Sequence, residues 1–174
     1  MDSIQNILTR RSVRSFEHRR ISEEDMRTIL TAAMSGPSCA NTRDWQFIVV
    51  EDQATLNQMA DANGIYAAPL RGAAAGILIC GDLNQAFSNA KEYWVIDGAI
   101  AGQNICLAAR ALGIGSVWLG TWPQMERVEN LTRLFRLPES AVPHSILALG
   151  YAEETGDVSE KNAYDASCIH WEKW

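Results

Sequence analysis

Apolar positions along the chain switch between helical spacing and short continuous runs, and that alternation predicts an order of helices and strands for most of its length. Asp2 stands where it can cap a short first helix carrying Ile4, Ile7 and Leu8. Ser22 opens a clearer one, with Asp25 in capping-box position, Met26, Ile29, Leu30 and Ala33 on one face, and Gly36-Pro37 as its stop. Residues 45–50 read as a buried strand, so the intervening loop joins a helix end to a strand start. A weaker helical pattern over 52–62 (Leu56, Met59, Ala60) ends near Asn63-Gly64, and after a connection with Pro69 and Gly72 a second strand runs over 74–80. Residues 93–112 form the longest helical segment, apolar around most of its circumference, which predicts a central, buried helix. Gly113 caps it, 116–119 reads as a third strand, 124–135 as a helix with Met125, Val128, Leu131 and Leu134, and 144–150 as a fourth strand after Leu137-Pro138. The segment 157–174 has no regular pattern yet ends in Trp171 and Trp174, which are costly to leave in water. It is expected to dock on a surface, another subunit's among the candidates. With no repeat or linker, one α+β domain over residues 1–174 is the simplest organisation.

Composition narrows the partners. The 174 residues suffice to bury a normal core, and the net charge of -6 argues against nucleic acid or an anionic membrane surface as the main partner. Cys39, Cys80, Cys106 and Cys168 are widely spaced, without a C-x-x-C or Cys/His cluster, so neither a zinc site nor a redox dithiol is indicated and no metal is expected. The polar start Met1-Asp2-Ser3 lacks a signal-peptide core, and no apolar run is long enough to span a bilayer. A cytoplasmic setting is therefore expected.

Against this acidic background the heptad Arg10-Arg11-Ser12-Val13-Arg14-Ser15-Phe16 stands out. Arginine forks stay charged and match planar anions, so the cluster suits a phosphate with one further acceptor edge; by itself, though, it reads sooner as a solvated basic loop. A second motif, Pro37-Ser38-Cys39-Ala40-Asn41-Thr42-Arg43-Asp44-Trp45, leads directly into the first strand. The glycines of 113–120 invite comparison with a dinucleotide fingerprint, but that fingerprint needs strand, turn, helix, and here the order is helix, turn, strand. No P-loop motif is present. His18, His144 and His170 are too dispersed to define a site, and a thiol nucleophile at Cys39 lacks a placed histidine partner. Trp45, Trp94 and Trp118 read mainly as core, and each is also a possible wall for an aromatic cofactor.

Taken together, the 10–16 heptad, Pro37-Ser38-Cys39-Ala40-Asn41 with Trp45, Asp97-Gly98-Ala99-Ile100-Ala101-Gly102-Gln103-Asn104, the 113–120 glycine stretch and the terminal Ile169-His170-Trp171 with Trp174 resemble the FMN-dependent nitroreductase family in its short form, over nearly the whole chain. The resemblance implies a three-layer α+β fold with a central mixed, mainly antiparallel sheet flanked by helices. It implies a homodimer joined by long helices, with an exchanged tail (about 157–174) and two FMN sites at the interface. Arg10, Arg11, Ser12 and Arg14 would hold the FMN phosphate, ribityl chain and pyrimidine edge; Pro37, Ser38 and Asn41 of the other subunit would line the ring. Leu119, Gly120 and Thr121 resemble the stretch whose backbone approaches flavin N5, and Lys161 matches the lysine of a K-x-R pair at the phosphate. Ala163 stands where that pair has arginine, and Thr42-Arg43-Asp44 replaces a polar-Gln-Pro sequence.

By the same resemblance the flavin carries the redox chemistry and no catalytic residue is expected on the protein: NADH or NADPH reduces the flavin, leaves, and an electron acceptor such as a nitroaromatic or quinone takes its place in a ping-pong cycle. Other readings keep part of this picture. Similar scaffolds host reductive dehalogenation and other flavin chemistry, a non-catalytic flavin-binding or sensing protein is a further class, and a plain interaction module with a basic loop is the remaining one.

Overall fold

The computed structural model describes residues 2–154, 159, 160 and 163–174. Three of its helices begin where a side chain satisfies the first free amides. Asp2 accepts from Gln5 N–H at 2.9 Å ahead of α1 (Ser3–Thr9), Ser22 from Asp25 N–H at 3.0 Å ahead of α2 (Glu23–Met34), and Asp52 from Thr55 N–H at 2.8 Å ahead of α3 (Gln53–Asn63). No side chain caps α4 (Trp94–Ala111) or α5 (Met125–Phe135). They are held by packing instead.

The strands β1 (Trp45–Val50), β2 (Ala75–Asp82), β3 (Gly115–Gly120) and β4 (Ala141–Gly150) form one sheet in the order β1-β2-β4-β3, antiparallel at every pair. The parallel component of the expected mixed sheet reduces to an isolated bridge between Ser12 and Ser116. The central strands β2 and β4 bury both faces, and alternate residues divide between two cores. Ile77, Ile79, Leu147 and Leu149 pack with Ile29 of α2 and Ile105 of α4, while Leu78, Cys80, Ile146 and Ala148 pack with Leu56 and Met59 of α3 and Leu131 of α5. Three layers result: α2 and α4, the sheet, then α3 and α5. Pro143 sits within β4, opposite the irregularity between Ile79 and Cys80, where a missing ladder donor is least disruptive.

Close approach of α4 to the sheet depends on Gly102, where an added Cβ would lie 2.2 Å from the Trp118 ring. Only one side of this helix is covered. Asp97, Gly98, Ala101, Gly102, Ile105 and Ala109 are buried, but Ile96 is 52% exposed, and it shares a shallow groove with Val95, Ala99, Ile100, Gln103 and Asn104. The helix is thus apolar all round, as the sequence predicts, yet half uncovered in one protomer. The terminal segment is uncovered too: Trp171 is 82% and Trp174 100% exposed, the latter stacked on His170 at 4.0 Å.

Candidate functional site

The basic heptad is pinned beside the sheet by backbone pairing. Val13 N–H donates to Ser116 O at 2.9 Å, Glu17 N–H to Tyr151 O at 2.8 Å, and Phe16 bridges Ala152, so residues 12–17 bind both β3 and the end of β4. Gly115 makes this possible, since a Cβ there would stand 2.8 Å from Val13 Cβ. Gly113, at φ +75°, reverses the chain directly after α4 and its N–H caps Arg110 O at 3.1 Å. The result is a cavity of about 500 Å³ among residues 9–15, Arg110, 113–116 and 152–154.

Four arginines and two glutamates, Glu153 and Glu154, line that cavity. Their donors are unequally committed. Arg11 donates to Leu8 O at 3.3 Å, to Arg10 O at 3.2 Å and to Ser159 O, tying the end of α1 to the terminal segment. Arg110, which the sequence reading missed because only the fold brings the last turn of α4 here, grips Thr9 Oγ1 through Nη2 at 2.9 Å and Nε at 3.3 Å. Arg14 makes one long bond to Ser12 O at 3.4 Å. The Arg10 charge reaches Cys106: burial pushes the Cys106 thiol up, with the Ser116 hydroxyl and then Arg10 pulling it back. Among the described residues Arg10 is therefore the fork best placed to take an external anion, with Ser12 exposed beside it. Lys161 lies outside the described residues.

The remaining expected residues gather elsewhere. Pro37, Ser38 and Asn41 sit on the loop between α2 and β1, whose Cys39 N–H donates to both carboxylate oxygens of Asp97, at 3.0 and 3.1 Å. Asp97 is in the first turn of α4 and Arg110 in its last, thirteen residues apart, so about 20 Å separates this loop's anchor from the arginine cavity. Leu119, Gly120 and Thr121 close β3 at the end away from Gly115, about 17 Å along the strand. Leu119 and Thr121 are buried, and Gly120 is open, with nothing within 4 Å of where a Cβ would be. The Gly120 carbonyl accepts from Asn63 Nδ2 at 3.2 Å and Arg127 Nη1 at 2.8 Å, while Thr121 Oγ1 donates to Asn63 Oδ1 at 2.8 Å. Asn63 and Arg127 thus fix the 120–121 peptide, a role no local motif announces.

Two buried groups near the loop carry shifted acidities. Burial, then the charge of Asp97, lifts the Asp44 carboxyl to about 6. His144 is held neutral by burial, enclosed by Trp94 at 5.7 Å and Trp118 at 5.9 Å. Within one chain, then, the basic cavity lies about 20 Å from the loop's anchor and about 17 Å along β3 from the open Gly120 peptide. Among the described residues, no three His, Cys, Asp or Glu side chains gather as metal ligands, and no helix is long and apolar enough to cross a membrane.

Comparison with known proteins gives a consistent result. The sequence profile described as the nitroreductase family matches residues 7–65 and 63–151. A Methanothermobacter thermautotrophicus protein, provisionally named NADH dehydrogenase/NAD(P)H nitroreductase, is 40% identical over 100% of this chain and 88% of its own. A similarly named Bacteroides thetaiotaomicron structure is 36% identical with a TM-score of 0.90, covering 98% of this chain and 97% of its own. An FMN-dependent nitroreductase from Clostridium difficile superimposes with a TM-score of 0.90 at 25% identity, over 98% and 99% of the two chains.

Proposed function

The chain belongs to the nitroreductase family, and we propose that it is a homodimeric oxidoreductase that binds FMN at two shared sites and uses NADH or NADPH to reduce a nitroaromatic, a quinone or a similar acceptor by a ping-pong cycle. One observation carries the shared site. The anion-binding cavity and the loop with Ser38 and Asn41 lie at opposite ends of α4, about 20 Å apart. They come together if two α4 helices pack antiparallel through the apolar groove of Val95, Ile96, Ala99 and Ile100. That packing also covers the half-exposed helix.

The donor set fits the cofactor. A cavity with Arg10, Ser12 and Arg14 on one wall and Arg110 on another offers charged forks for a terminal phosphate, and the four arginines outnumber the two glutamates. Arg10 and Lys161 would take the phosphate, Ser12 the ribityl chain and Arg14 the pyrimidine edge. Arg11 contributes mainly by fixing the segment, since its donors serve its own chain. Leu119, Gly120 and Thr121 would present the peptide held by Asn63 and Arg127, with open space at Gly120 to admit a flat ring. Pro37, Ser38 and Asn41 would come from the partner, and the tail would dock on it as part of a single domain.

Bound FMN supplies the redox chemistry, accepting a hydride equivalent from the nicotinamide and passing electrons to the second substrate. The chain's part is binding, orientation and electrostatics. A guanidinium at the pyrimidine edge favours negative charge there, and the fixed 120–121 peptide holds its polar groups without reorganisation. No side chain is assigned as acid, base or nucleophile.

The test is to release the ligand from purified protein, identify it by mass, and reduce the protein anaerobically with NADH and with NADPH. FMN that bleaches with either nicotinamide is the expected result. FAD, or no flavin after reconstitution with excess FMN, overturns the reading.

A further inference from the structure

The loop that this reading sends to the partner's cofactor is held in an uncommon conformation. Ala40, Asn41 and Arg43 adopt φ of 48°, 56° and 53°, in the left-handed region that disfavours any residue with a side chain. Such a conformation persists only when its surroundings fix it. Part of the fixing is visible: Ser38 Oγ accepts from Arg43 N–H at 2.9 Å, and Asp97 takes the Cys39 N–H on both oxygens.

The rest lies in Asp44, where the loop enters β1. Its residue is 1% exposed and that of Asp97 2%, yet among the described residues neither oxygen of Asp44 makes a well-formed hydrogen bond, and only its own backbone N–H works to lower its pKa. The Thr42 hydroxyl in the same loop is likewise unpartnered and so does not serve it. An ionised carboxylate only accepts, and burying one without donors is costly. The charged groups acting on Asp44 are carboxyls, Asp97 from α4 first and then Asp82 at the end of β2. Arg43 is turned over the Trp45 ring, 6.0 Å from its centroid, and His144 on β4, whose pKa burial lowers, lies within hydrogen-bond distance of Ser145 Oγ at 3.0 Å. Among the described residues no third His, Cys, Asp or Glu joins the pair to hold a cation. What removes the conflict is a proton: a protonated Asp44 donates to Asp97, which accepts that bond together with the Cys39 N–H.

We propose that Asp44 and Asp97 share one buried proton and that this carboxyl pair is a positioning device, fixing the 38–43 loop and with it the presentation of Ser38 and Asn41 to the partner's cofactor. The second half rests on the shared-site reading; the first does not. The acidities agree in direction. Burial and the Asp97 charge raise Asp44, and burial raises Asp97 with the Cys39 N–H opposing. Because the folded-state value of Asp44 lies above its ordinary 3.8, at about 6, the stabilisation is complete in acid and is lost as pH rises through that window. The loop loosens toward neutral pH.

The test compares wild type with Asp44→Asn, which keeps a donor toward Asp97 and cannot titrate. Amide hydrogen exchange of 38–43 in FMN-free protein, referenced to the amides of β4, should show protection falling about threefold or more from about pH 5.5 to about pH 7.5 in wild type and staying level in the variant. FMN affinity is read over the same range as the ratio of wild type to variant, because the phosphate of FMN itself titrates near pH 6. That ratio should fall with pH. Loop protection in wild type that does not change with pH overturns the proposal, whether or not Asp44→Asn folds. Protection that changes while the affinity ratio stays constant leaves the shared proton standing and overturns the role of the loop at the cofactor, and with it the shared-site reading.

Discussion

The two ends of α4 solve opposite problems with the same local resource, backbone left over by a chain reversal. At the C-terminal end the resource is open: arginines around a cavity of about 500 Å³, with Gly115 letting the heptad lie against the start of β3. At the N-terminal end it is closed, since Asp97 is buried and gives both oxygens to the loop's Cys39 N–H, with Asp44 buried as well. The first end leaves charged donors open, and the second holds a strained segment whose Pro37 and Asn41 are exposed. On the proposed reading, a site made from both ends takes two chains.

Tail removal is the severest way to break that arrangement. A chain truncated after Glu160 loses Lys161, Trp171 and Trp174 together, and should sediment mainly as monomer and retain little flavin, because association and binding are linked. A truncated monomer that stays yellow on dilution sinks the shared site. Next in size is Arg10→Ala, expected to weaken FMN binding roughly 10- to 100-fold by loss of a charge-assisted bond. Arg11→Ala, whose donors serve Leu8, Arg10 and Ser159, should change affinity only a few-fold and lower thermal stability instead. Flavin titration and melting curves of both variants separate these roles.

The comparison is sharpened by mixing lesions. In a shared site, coexpressing Arg10→Ala with Asn41→Ala gives heterodimers with one doubly damaged and one intact site, so flavin content recovers toward half. If each chain owned its site, every site would carry a lesion and mixing would restore nothing. The readout is flavin per heterodimer isolated with two affinity tags.

The difference between the two ends also sets how legible they were. Helix starts could be read because caps are local, as at Asp2 and Ser22, and the strands because central strands are continuous apolar runs. β4 begins at Ala141, before the expected 144, because Pro143 argues against a strand locally and is absorbed only by the bulge that leaves its neighbour His144 without a partner in β2. The arginine cavity was legible because three of its cations are neighbours in sequence. Arg110, Asn63 and Arg127 were not, since each acts on a residue more than five positions away. The Asp44 and Asp97 pair was hidden for the same reason, 53 positions apart and dull individually.

The smallest expected effect tests whether the departure at Ala163 matters. Ala163 is exposed at the start of the tail, two residues beyond Lys161, and the resemblance places an arginine there. In an undocked tail, Ala163→Arg adds a solvated charge worth about 0.2 to 1 kcal/mol at most to any anion nearby. Docked against a phosphate, the same fork forms a charge-assisted bond of about 1.5 to 3 kcal/mol. The cavity it would join already holds Glu153 and Glu154, which pair with an added cation in competition with the ligand. The net expectation is a tightening of FMN binding by about three- to tenfold, below the docked range because of that competition and strongest at low salt. Affinity unchanged across ionic strengths places residue 163 away from the phosphate, with the existing arginines sufficient to neutralise it.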